Sequence, residues 1–147
     1  MSGSRVDPDQ LSRCIDAPVH HEEVLPSTND RARTLANDGA RAGSFVIADE
    51  QTAGRGRGGS RWKSPVGGVW STTILRPKLS TANVGRLTFA GGMAVIDVVG
   101  NHITPALKWP NDVLLMQDDE WRKVAGVLVE SVVSGVPIAG KPIDDAF

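Results

Sequence analysis

The passage from residue 44 to residue 62 constrains this chain more than any other stretch. Ser44 to Glu50 is apolar at its centre (Phe45, Val46, Ile47, Ala48), as a strand covered on both faces would be. It runs without a spacer into Gln51-Thr-Ala-Gly-Arg-Gly-Arg-Gly-Gly-Ser-Arg-Trp62, where three arginines and four glycines share a dozen residues. Glycine lets a backbone approach a ligand closely and adopt positive φ. Arginine supplies planar, permanently charged forks that match carboxylate and phosphate. A loop of this composition, delivered by a buried strand, is suited to close over an anion.

Other readings of the loop are weighed on the same residues. Gly54, Gly56 and Gly59 formally match G-x-G-x-x-G, but Trp62-Lys-Ser-Pro-Val-Gly-Gly68 is a poor helix opener, so the dinucleotide-binding context is missing. A Walker A loop ends in Gly-Lys-Ser/Thr, whereas Gly59 is followed by Ser60-Arg61. An RNA-binding RGG tract usually repeats within low-complexity sequence, and this one stands alone. A solvated, flexible glycine loop with incidental charge is the plainest alternative.

Composition limits the rest. The 147 residues suit one domain that buries ~70% of its unfolded surface. A net charge of −1 gives no general attraction to nucleic acid or membrane, so the arginines are a local feature on a neutral background. Cys14 is the single cysteine, which excludes an internal disulfide and a cysteine zinc site. No run of ~18 apolar residues or signal-peptide core occurs, and the expected location is the cytoplasm.

Along the chain, Asp7-Pro-Asp-Gln10 reads as a capping box opening a short helix to about Ala17. Val19–Leu25 is an expected strand. Ser27 or Thr28 caps a helix with Ala32, Leu35 and Ala36 on one stripe and Gly39 as its stop. Val69–Leu75 is an expected strand, and Ser80 or Thr81 opens the longest helix, to about Val99. Gly91-Gly92 weakens that helix, which a close approach to the sheet would explain. Strand pieces Ala106–Trp109 and Val113–Met116 flank Pro110-Asn-Asp112, and Trp121–Val133 reads as one long strand. The class is α+β: a mixed, largely antiparallel sheet with helices packed on one face.

Four short segments carry the chemistry: Pro26-Ser-Thr-Asn-Asp30, the Gln51–Trp62 loop, Lys108-Trp-Pro-Asn-Asp-Val113, and Arg122-Lys-Val-Ala-Gly-Val-Leu-Val-Glu130. Taken singly, they read as a helix cap, a glycine loop, a proline turn and a solvated strand lysine. In this order they resemble the catalytic domain of biotin protein ligases, from about His20 to Ser131. Lipoate ligases share that fold but carry a different arginine/glycine loop.

The resemblance implies a two-step reaction with ATP, biotin and Mg²⁺. Biotinyl-5′-AMP forms first, and a lysine of the biotin carboxyl carrier domain of a carboxylase then takes the biotin. Ser27, Thr28, Asn29 and Gln51 would hold biotin, and Arg55, Gly56 and Arg57 would close over biotin and the adenylate. Trp62 would stack or act as a lid. Asn111 and Asp112 would face the nucleotide, with Asp112 the magnesium ligand. Lys123 would lie between biotin's carboxylate and the α-phosphate and, with Arg57, carry the catalysis. Gly54–Ser60 is expected to be mobile without ligand.

Family members continue after Val-Leu-Val-Glu with a Gly-x-Gly-x-Asn type motif, which Val136–Phe147 does not match. The expected organisation is therefore an N-terminal segment (1–18), a shortened catalytic domain (19–134) and an irregular tail (135–147). The twenty or so preceding residues leave no room for a helix-turn-helix, and no nucleic-acid partner is expected. Homodimer formation is left open. So are two other functions: a biotin- or ATP-binding module without turnover, and a lipoate ligase.

Overall fold

The apolar run after Ser44 is the middle strand of a three-stranded sheet in the computed structural model, which describes residues 7–100, 104–133 and 136–137. The chain divides into two compact units, Met1–Pro77 and Lys78–Phe147. The first contains helix α1 (Pro8–Cys14), strand β1 (Val19–Leu25), helix α2 (Thr28–Asn37), strand β2 (Phe45–Gln51) and strand β3 (Trp70–Thr73). β1 runs parallel to β2, and β3 antiparallel. A parallel pair needs a crossover, which α2 supplies. Val46 and Ala48, two residues apart and so on one face of β2, join Leu25, Ala32 and Ile74 in the core, with Leu35 and Ala36 packed on it. Ile47, on the opposite face, is also buried, so β2 is covered on both sides as its composition implied.

Local signals explain the helix ends. The Asp7 carboxylate accepts from the N–H groups of Asp9 (3.0 Å) and Gln10 (3.2 Å), with proline at the start of α1. The helix stops at Cys14 rather than near Ala17. Pro18 disfavours helical backbone in the residue before it. At the far end of α2 the Arg76 guanidinium donates to the carbonyls of Ala36 and Ala40, both at 2.9 Å, where a helix C-terminus favours a cation.

The second unit opens with a 3₁₀ turn (Thr81–Asn83) and helix α3 (Gly85–Val99), followed by β4 (Pro105–Lys108), β5 (Asp112–Gln117) and β6 (Glu120–Gly126) in an antiparallel meander. The expected single helix from Ser80 or Thr81 is thus a short turn followed by a helix. A Cβ on Gly91 would lie 2.9 Å from Val127 Cγ1, and one on Gly92 2.8 Å from Leu107 Cδ1. Both glycines permit the close approach inferred from the sequence. Asp118 (φ 50°) and Asp119 (φ 60°) form the two-residue turn joining β5 to β6.

The long strand expected over Trp121–Val133 ends at Gly126. Beyond it the Val127 N–H donates to Asn111 O (2.9 Å), and Asn111 Nδ2 donates to Val127 O (3.2 Å), the last step of the β5–β6 register before the Trp109–Asn111 turn leaves no partner strand. Strand β7 (Val132–Val133) then pairs with β8 (Val136–Pro137), so a short strand lies inside the region expected to be an irregular tail. The remainder of that tail, with residues 134–135, lies outside the described residues. The α+β class holds, with strands shared between two three-stranded sheets and a two-stranded ribbon. Among the described residues no helix is long and apolar enough to cross a membrane.

Candidate functional site

Register brings the first group of side chains together. Leu25 and Gln51 are partners at the C-terminal ends of the parallel strands β1 and β2. Two residues after Leu25 the chain enters α2 through Ser27. Carboxyl ends of parallel strands, with a helix N-terminus beside them, are where open α/β layers bind ligands.

The expected helix cap is built differently from a simple serine or threonine cap. Ser27 sits at the N-cap with extended backbone, yet its side chain makes no capping hydrogen bond. Its hydroxyl accepts instead from Arg55 Nη1 at 3.0 Å. The Thr28 N–H is satisfied from another element: Gln51 Oε1 accepts it at 2.8 Å and also accepts the Thr28 hydroxyl at 3.0 Å. Gln51 Nε2 donates onward to Ser64 Oγ at 2.9 Å. Thr72 Oγ1 lies 2.9 Å from Thr28 Oγ1 and also meets the side-chain amide of Asn29. Ser27, Thr28 and Ser64 are almost fully buried, so the row is enclosed and held by partners at every step.

The arginine loop leaves this row as a narrow hairpin. Gln51 bridges to Ser64 and Arg55 to Arg61, while the Trp62 N–H donates to Gly54 O (2.9 Å) and the Gly56 N–H to Ser60 O (2.7 Å). A Cβ at Gly54 would fall 2.6 Å from Ser64 Oγ and 2.8 Å from Trp62 O, so the first glycine permits a close approach. At the tip, Arg57–Gly59 makes a 3₁₀ turn in which Gly58 and Gly59 take φ of 63° and 75°. Trp62 is half-buried at the hairpin base, where it lines an open groove with Gln51, Arg61, Ser64 and Pro65.

Asp30, at the end of the Pro26-Ser-Thr-Asn-Asp30 segment and without a role assigned from sequence, joins loop to helix. Its Oδ2 accepts from Arg55 Nη1 (2.9 Å) and its Oδ1 from Arg55 Nη2 (2.8 Å), a two-pronged ion pair. Arg33 Nη1 also reaches Oδ1 at 2.9 Å. The Arg55 hydrogen bonds hold the Asp30 carboxyl below the usual carboxylate range against the opposing effect of burial, and the charges of Arg55 and Arg33 add to the lowering. Ser64 and Thr72 were missed as well. Their partners are distant in sequence, so no spacing announces them.

In the second unit, Lys123 of β6 stands opposite Leu114 of β5, and its ammonium reaches diagonally to Asp112 Oδ1 at 2.6 Å. Gly126 makes room for the pair: a Cβ there would lie 3.3 Å from Lys123 Cε and 3.5 Å from Asp112 Oδ1. Asn111, expected to face a nucleotide, donates its amide to the Val127 backbone. Among the described residues no group of three or more His, Cys, Asp or Glu side chains could hold a metal ion.

Comparison with known proteins places the chain in a family. The model of the biotin/lipoate A/B protein ligase family matches residues 22–141. The biotin–[acetyl-CoA-carboxylase] ligase of Paracoccus denitrificans is 42% identical over 113 residues, which make up 74% of this chain and 45% of that protein. The bifunctional ligase/repressor BirA of Bacillus spizizenii is 35% identical over 139 residues, 86% of this chain and 42% of that one. Among solved structures, the biotin protein ligase of Leishmania major in complex with biotinyl-5-AMP superposes with a TM-score of 0.64 at 32% identity, covering 78% of this chain and 52% of that chain. The Aquifex aeolicus enzyme in complex with biotin and ATP gives 0.56 at 31%, covering 80% and 48%. The chain thus spans about half the length of these relatives or less. With its enclosed polar row, its arginine hairpin and its Asp112–Lys123 pair each falling inside the matched span, the chain belongs to the biotin/lipoate A/B protein ligase family.

Proposed function

We propose that the chain catalyses ATP-dependent biotin ligation in the cytoplasm. Biotin's carboxylate attacks the α-phosphate of ATP, giving biotinyl-5′-AMP and pyrophosphate. The amine of a carrier-domain lysine then attacks the mixed anhydride, forming an amide and releasing AMP. One observation carries this reading: an enclosed row of hydroxyls and amides, Asn29, Thr72, Thr28, Gln51 and Ser64, stands at the base of an arginine hairpin. Such groups complement a small ring with two N–H donors and one carbonyl acceptor, which is the head of biotin.

The remaining residues supply what the reaction needs electrostatically. Two anions must meet, and fixed cations lower that cost most where charge develops. Arg57 at the hairpin tip and Lys123 are the cations assigned to this work. A loop that closes over the anhydride also protects it from water, and Gly54–Ser60 with Trp62 fills that role. Magnesium fits Asp112 as an ion arriving on ATP, because magnesium is commonly held by one carboxylate plus substrate phosphates. Asn111 acts through the backbone of Val127, keeping Asp112 in place.

The test is biotin-dependent pyrophosphate release from MgATP by the purified chain, with lipoate as the parallel acid. Release with biotin alone establishes the first half-reaction. Release with lipoate alone would replace the substrate assignment. No release, with biotin binding intact by calorimetry, would reduce the chain to a binding module.

A further inference from the structure

We propose that Asp30 positions the arginine loop by making Arg55 its anchor; the link to biotin binding rests on the ligase reading above. In composition Arg55 and Arg57 are equivalent. In the fold they are not. Both terminal nitrogens of Arg55 are engaged by the Asp30 carboxylate, and Nη1 also reaches the buried Ser27 hydroxyl. The Nη1/Nη2 edge, one of the two with which a guanidinium can grip a carboxylate by parallel hydrogen bonds, is therefore filled from within. The Arg55 backbone is fastened as well, through its bridge to Arg61. Arg57 lies beyond that bridge, in the 3₁₀ turn with two positive-φ glycines.

Asp30 is placed for this role rather than for capping. Three residues after the N-cap, an acidic side chain ordinarily turns back to the N-cap N–H. Here both carboxylate oxygens accept from arginines instead, two prongs from Arg55 and one from Arg33. The first turn of α2, which also carries Thr28 and Asn29, is thereby tied to the stem of the hairpin. Movement of the stem and disorder of the polar row become linked through one carboxylate.

The experiment compares Asp30→Asn, Asp30→Glu and Arg33→Gln with the unmodified full chain in two assays. The first is limited tryptic cleavage after Arg57 without ligand, which reads stem anchoring directly. The second is the KM for biotin in pyrophosphate release. Asp30→Asn is expected to raise both by about tenfold, with kcat changed by less than about threefold. Its melting midpoint should stay within about 4 °C, since half-exposed ion pairs contribute little to global stability. Arg33→Gln should leave both readouts within about twofold, because the two-pronged pair survives. Asp30→Glu keeps the charge and should recover most of the loss, which also serves if the asparagine variant does not fold.

Unchanged cleavage in Asp30→Asn overturns the anchoring role whatever the kinetics do. Faster cleavage with an unchanged biotin KM overturns the link between stem and ligand. A wild-type chain that releases no pyrophosphate with biotin would instead overturn the ligase reading, while the cleavage assay still decides the anchor.

Discussion

The two units organise their polar chemistry in opposite ways. In the first, Leu25, Ala32, Val46, Ile47, Ala48 and Ile74 are buried, and the polar row is fixed to that core at both ends of α2's first turn. In the second, Val113 is the one described apolar residue that is fully enclosed, while Phe89, Met93, Trp121 and Val124 remain exposed. Its Asp112–Lys123 pair rests on strands alone. A small planar ligand needs donors and acceptors held within tenths of an ångström, and a dense core can hold them there. A point charge acting on phosphate tolerates a looser seat, because Coulomb attraction falls slowly with distance. On the proposed function, rigid recognition falls to the first unit and forgiving electrostatics to the second.

The sharpest way to break this comparison is Lys123→Ala. Pyrophosphate release should fall by about 100-fold or more, the scale of losing one preorganised electrostatic contact. Biotin affinity measured by calorimetry should fall by less than about tenfold, since the polar row is untouched. Equal losses in both would show that the second unit also recognises biotin. A gentler probe is Gly126→Ala, which presses a methyl against Lys123 and Asp112. Turnover should drop by about three- to tenfold with little change in melting temperature, because a flexible lysine end can yield. A severe loss would mean that this pair needs the same precision as the row.

The smallest expected effect concerns Asp30 and pH. Its carboxyl is lowered in the folded protein. The stability it contributes is therefore fully present above the unfolded value, near about 3.9, and is lost as pH falls through the lower folded value. The difference in unfolding free energy between wild type and Asp30→Asn should be flat above about pH 5 and close at lower pH. Asp30 is half-exposed, so solvent screening keeps the difference below about 1 kcal/mol. A difference that widens on acidification would contradict the ion pair with Arg55.

The sequence made the first unit's framework legible, because its signals are local. The uninterrupted apolar run from Phe45 announced a strand covered on both faces, and Asp7-Pro8 announced the start of α1. The loop's chemistry was also readable, since glycine and arginine carry their meaning in composition. What composition does not encode is which arginine meets Asp30. Arg55 and Arg57 separate only when Asp30, 25 residues earlier in the chain, meets one of them. Ser64 and Thr72 stayed invisible for the same reason. The long strand over Trp121–Val133 was over-read because β-branched residues continue past Gly126 while the partner strand β5 begins only at Asp112, after the turn at Trp109–Asn111. The reach of the partner strand there outweighs local propensity.

The direction of the polar row has a consequence for how this sequence can drift. Each hydroxyl owns a single proton. Thr72 Oγ1 lies against both Asn29 Oδ1 and the Thr28 hydroxyl, so giving its proton to the Asn29 oxygen leaves Thr28 to donate to Thr72, while the Thr28 N–H keeps the bond to Gln51. The row thus has a junction at Thr72 and a tail at Ser64, which accepts from Gln51. Replacing Ser64 removes an acceptor at the tail and leaves the order upstream intact. Replacing Thr72 with valine cuts the middle and strands partners on both sides, although the shape is nearly preserved. Replacements of similar size are therefore unequal along the row, and a lineage carrying it can vary at its tail long before it can vary at its centre.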